Sequence, residues 1–233
     1  LGDWNVIESI ATYLAWIVIG IIAFHMYRKH AVKPKIWKVI IVILIGLFSF
    51  SFKWNVFNTM VQISVLPLGV WFLYFFLNKK KDRWKKYRPF AWLGFFANFI
   101  ILLSTFIAIP VNHLIYPENE LSTLISSVEN ASLINIHPSA KESFLIDENL
   151  LKEIHSLKQK EFFSDEWYNE TYSTESNKRK ERFPYMLMNA SPKWGSGLST
   201  TVYLESDGKG VLVLTPNKQL YFHSEHSLLE EGK

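Results

Sequence analysis

Hydrophobic positions divide the chain near residue 116. Before it, four apolar runs cover about Ile10–Tyr27, Ile36–Phe52, Met60–Leu77 and Phe90–Ile109. Each is 17–20 residues long, and Lys38, near the start of the second, is the one Asp, Glu, Lys or Arg within them. About 20 apolar residues at 1.5 Å rise cross the ~30 Å hydrocarbon core, so the pattern predicts four transmembrane helices. A water-soluble bundle would need a polar face on every helix, which these runs lack. In lipid a helix satisfies its own backbone groups, and an apolar surface on all sides is favourable. The basic residues of the first run follow it, so it reads as a retained span and not a cleaved signal peptide.

After Pro117 the pattern changes period. Leu121, Leu124, Ile125 and Val128 fall at i, i+3, i+4 and i+7 and predict a helix over 118–129. Segments 132–137 and 143–146 read as strands. A longer helix is expected over 148–163, with Leu150, Leu151, Ile154, Leu157 and Phe162 on one side. Residues 164–182 read as a polar loop, 183–189 as a further strand, and Trp194-Gly195-Ser196-Gly197 as a turn. Strands over 200–206 and 211–215 flank Asp207-Gly208, a hairpin signal, and 219–224 returns as the next strand. The fold class expected is therefore a four-helix transmembrane domain (1–116) followed by a small extracytoplasmic α+β domain (117–233) with a C-terminal antiparallel β-meander.

Charge sets the expected orientation. Residues 1–116 hold thirteen Lys/Arg against three acids; residues 117–233 hold twelve against eighteen. The overall net of +4 describes neither part. Basic residues gather in the first loop (Arg28, Lys29, Lys33, Lys35, Lys38) and the third (Lys79 to Arg88), while the second carries only Lys53. Short Lys/Arg-rich loops stay cytoplasmic, so both termini are expected outside. The basic residues punctuate apolar runs and form no groove-reading helix, which argues against a nucleic-acid partner. The partners expected are the lipid bilayer and either another envelope protein or an extracytoplasmic ligand. A Lys-, Asn-, Ile- and Phe-rich composition without Cys fits a bacterial plasma membrane.

Candidate chemistry is sparse. Absent cysteine excludes disulfides, thiolate metal sites and cysteine nucleophiles. No nucleophile elbow, phosphate loop or paired carboxylates appear, so no catalytic residue and no cofactor is expected. His223, Glu225 and His226 form a weak metal-ligand triplet, its spacing poor for convergence on a strand end. Gln62 and Asn98 are the intramembrane polar contacts, read first as interhelical hydrogen bonds and second as the lining of a transport path. Lys178, Arg179, Lys180 and Arg182 are candidate contacts to an anionic surface. Together these predict a non-catalytic, multi-pass envelope protein that presents a sensory, regulatory or assembly domain outside the membrane. The alternatives are a small permease or transporter subunit, and a metal-dependent envelope hydrolase.

Overall fold

The structure is a computed structural model and describes residues 4–30, 32–56, 59–79, 83–145, 150–163, 165, 167–169 and 180–231. It divides into two compact units, residues 7–112 and residues 1–6 with 113–233.

The first unit is built on helices α1 (Val6–Lys29), α2 (Ile36–Gly46), α3 (Leu68–Leu77) and α4 (Arg83–Ile115). α1 and α4, of 24 and 33 residues, are long and apolar enough to cross a bilayer. The inner pair corrects the expectation of four bilayer-length helices. α2 and α3 have only 11 and 10 residues, and between them lies a hairpin of β1 (Phe50–Val56) and β2 (Thr59–Leu66). The physical reason is a period of two: Phe50, Phe52 and Trp54 alternate with Ser51, Lys53 and Asn55, and Val61 and Ile63 with Gln62 and Ser64. In antiparallel register Phe52 faces Ile63 and Trp54 faces Val61, while Ser51 faces Ser64 and Lys53 faces Gln62. One face is therefore apolar and the other polar. Pro67, expected inside the third helix, stands at its N-cap, where its missing N–H costs nothing. Pro110, just past the end of the fourth apolar run, lies inside α4.

Packing in this unit puts small residues inside. Ala15, Gly46, Gly69, Ala91, Gly94 and Ala97 are buried, around a core of Val39, Val42, Val70, Leu73 and Phe90. Trp16, Phe24, Phe75, Phe76, Phe96 and Leu103 are exposed.

The second unit holds α5 (Leu121–Leu124), β3 (Ser132–Asn135), β4 (Ser143–Leu145), α6 (Leu150–Ser156), β5 (Lys158–Lys160), β6 (Tyr185–Met188), β7 (Thr201–Leu204), β8 (Gly210–Leu214), β9 (Gln219–His223) and β10 (Leu229–Glu231). Six strands form one antiparallel sheet in the order β3-β6-β7-β8-β9-β5, and β4 pairs with β10. The expected C-terminal meander is its centre, and Gly208 takes φ +72° in the turn between β7 and β8. Alternation fills both faces: Tyr185, Leu187, Val202, Leu204, Val211, Val213, Leu220 and Phe222 form the main core with Leu124, Ile125 and Ile154. Leu212 and Tyr221 point the other way, towards Phe183, Phe162 and Trp167.

Both expected helices of this region are shorter. The first stops at Leu124, with Ile125 already extended, because Ser126 and Ser127 hydrogen-bond in extended form to Ser191. Its apolar positions are nevertheless buried: Leu121, Leu124 and Ile125. The second ends at Ser156, and Lys158–Lys160 instead pairs with β9, whose edge offers backbone partners. The outer part of that prediction, 148 and 149, lies outside the described residues.

Candidate functional site

Within the C-terminal unit, two distant stretches are sewn together by backbone hydrogen bonds. Ser126 N–H donates to Ser191 O at 2.8 Å, and Ser191 N–H donates to Ser127 O at 3.0 Å. Lys193 N–H donates to Thr123 O at 2.9 Å, and the Thr200 hydroxyl donates to Leu124 O at 3.3 Å. The seam leaves a cleft of about 570 Å³, lined by Ser126, Ser127, Ser191, Ser199 and Thr200 together with the exposed Lys193 and Trp194. Hydroxyls, one ammonium and one indole face give it hydrogen-bonding and stacking capacity without a nucleophile–base pair. Nothing in the sequence marks this cleft, because its walls are about sixty-five residues apart and serines carry no spacing signature.

The rim loop is held by glycines. Gly195 and Gly197 adopt φ +79° and +72°, where a side chain is disfavoured. This lets Gly195 O accept from Val6 N–H at 3.0 Å, and Asn5 bridges to Ser196. Trp194 meets Trp4 edge to face at 5.8 Å between ring centroids, and the Lys193 ammonium lies 5.6 Å from the Tyr116 ring centre.

The residues singled out from the sequence are scattered. Gln62 and Asn98 line a separate cavity of about 230 Å³ in the helical unit, beside Glu8, Ser64 and Thr105. Asn98 Nδ2 donates to Leu47 O and Phe95 O, both at 3.1 Å. Gln62 Nε2 donates to Ser51 Oγ across the hairpin. A third, apolar groove of about 370 Å³ runs between α1 and α2.

Lys178 and Arg179 lie outside the described residues, and Lys180 is exposed. Arg182 is turned inward. Its Nε is 2.6 Å from Glu205 Oε1, and its guanidinium lies 5.3–5.7 Å from the ring centres of Tyr221, Phe183 and Phe162. Burial works against the Arg182 charge, but the bonds to Glu205 and Tyr221 outweigh it and hold its pKa above the ordinary value. Tyr221 Oη donates to Glu205 Oε2 at 2.5 Å, and burial first, then Glu205, pushes the phenol upward. This guanidinium is a structural pin, not a free surface charge.

His223 Nδ1 is 3.3 Å from Lys160 Nζ, a cation where a metal site would want a ligand. Glu225 and His226 are exposed in the following bend. Among the described residues no group of three or more His, Asp or Glu is placed to hold a metal ion. In comparison with known proteins, the chain matches no family model, no curated protein and no solved structure.

Proposed function

We propose that this chain is a multi-pass membrane protein of the bacterial cell envelope, with both termini outside, and that its C-terminal unit is a non-catalytic binding module working through the Ser/Thr-walled cleft. The observation that carries the membrane reading is the apolar outer surface of the helical unit, where Trp16, Phe24, Phe75, Phe76, Phe96 and Leu103 are exposed while Gly46, Ala91 and Gly94 lie inside. In water such a surface would be a large aggregation patch. Lipid makes it the favourable arrangement.

The topology follows from the basic loops at the feet of α2, α3 and α4. α2 and α3 are about 15–17 Å long, half the ~30 Å needed. Their strands add about 3.3 Å per residue, so each inner segment crosses as a helix continued by a strand. A charge is expensive in hydrocarbon, which puts Lys53 of β1 in the outer headgroup layer. A transport role has less support, since the Asn98 and Gln62 amides are spent on Leu47, Phe95 and Ser51.

The cleft reading is tested by placing a photoreactive residue at Ser199 or at Ser206 of the full chain in living cells. A discrete adduct at 199 and none at 206 is expected. The same pattern at both positions would contradict it.

A further inference from the structure

The Trp4–Trp194 pair is more exposed than its fixed geometry would suggest. Trp4 is 55% and Trp194 72% exposed, although the loop beneath them is pinned by the Val6–Gly195 hydrogen bond and the Asn5–Ser196 bridge. Two rigidly mounted indoles facing solvent are costly in water and favourable at a lipid headgroup layer, where the ring is half wet and half apolar.

Chain continuity says what covers them. Val6, which the loop grips, is the first residue of α1. Tyr116, beneath Lys193, directly follows α4, whose last residues Leu114 and Ile115 are exposed. The loop therefore holds Val6, with which α1 begins, and Tyr116, the residue after α4. Lys193 adds an exposed ammonium suited to anionic headgroups.

We propose that the loop Lys193–Gly197, together with Trp4, is a foot that seats in the headgroup layer of the outer leaflet. This rests on the membrane reading above and deepens it. Because Lys193 and Trp194 also line the cleft, the foot brings that part of the cleft to the bilayer surface. Its ligand is then a polar group presented at the membrane, not one drawn from bulk solvent.

The chain has no cysteine, so single-site labels are clean. Nitroxides are placed at Trp194→Cys and, as the aqueous reference, at Ser206→Cys, in full-length protein in vesicles of phosphatidylethanolamine and phosphatidylglycerol. The foot predicts a label at 194 reached by oxygen but severalfold less by a water-soluble nickel complex than the label at 206. Equal nickel access at both positions overturns it. Protection of 194 from both probes also overturns it, since that is the signature of burial against a second copy or another protein. A second measurement leaves the loop closer to native: brominated lipids should quench the fluorescence that wild type has and Trp194→Phe lacks, and no quenching of that difference overturns the foot. If the chain stays in carbonate-washed vesicles and these readings fail, only the foot falls. If the chain washes out, the membrane reading falls with it.

Discussion

Asn98 on α4 donates its carboxamide N–H to the carbonyl of Leu47, 3.1 Å away, at the C-cap of α2. The last carbonyls of a helix have no partner within it, and in an apolar setting each unmet group is expensive. A side chain fifty-one residues away in sequence thus helps stop α2 where the hairpin begins. Asn98→Leu is expected to destabilise the protein by about 1–3 kcal/mol, the cost of an orphaned buried acceptor. A lower thermal midpoint of the purified full chain in detergent checks this. An unchanged midpoint, with solute flux lost instead, would favour a transport path.

Gly46 and Gly94 bring α2 and α4 together backbone to backbone. A Cβ on Gly46 would fall onto Ala91 O, and one on Gly94 onto Ile43 O. Gly20 on α1 has nothing within 4 Å of such a Cβ. Gly94→Leu should therefore force the helices apart, at a cost of about 1–3 kcal/mol or more. Gly20→Ala should be neutral or stabilising by up to about 1 kcal/mol, since Ala is the better helix former. Monodisperse yield and thermal midpoint distinguish the two, and equal sensitivity at both positions would contradict the packing.

Tyr221, Glu205 and Arg182 make the C-terminal unit sensitive to alkali. Burial and then Glu205 raise the Tyr221 pKa above its ordinary 10.0, so the native state favours the neutral phenol. A raised folded pKa contributes stability that is complete below the unfolded value and lost as pH rises through the folded one. Wild type should thus lose stability above about pH 10 more steeply than Tyr221→Phe. Parallel melting curves between neutral and strongly alkaline pH provide the check, and identical slopes would contradict it. Arg182→Gln should lower stability at neutral pH and leave vesicle binding unchanged.

What was legible followed the rules that act locally. The meander around Asp207-Gly208 declared itself by alternation and turn chemistry, and so did the apolar stripe of Leu121, Leu124 and Ile125. The strands β1 and β2 were equally visible as a period of two, but hydropathy averaged over 17–18 residues hid them, since Phe, Trp and Val outweigh the alternating Ser, Gln and Asn. The helix expected at 148–163 failed for another reason. The open edge of β9 captured Lys158–Lys160, a tertiary choice that side-chain periodicity does not encode. The cleft is illegible because Ser126 and Ser191 meet only through an isolated backbone bridge between stretches distant in sequence. Arg182 looked like part of a surface cluster until the fold brought Glu205 and three rings around it.

Topology is the claim on which the rest depends, and the absence of native cysteine makes it directly measurable. Ser206→Cys and Lys85→Cys replace exposed residues, one in the C-terminal unit and one in the basic first turn of α4. In intact cells a membrane-impermeant maleimide should label position 206 fully and position 85 only after lysis. Labelling of 85 with protection of 206, or labelling of neither until lysis, would contradict a chain that crosses the membrane with its C-terminal unit outside.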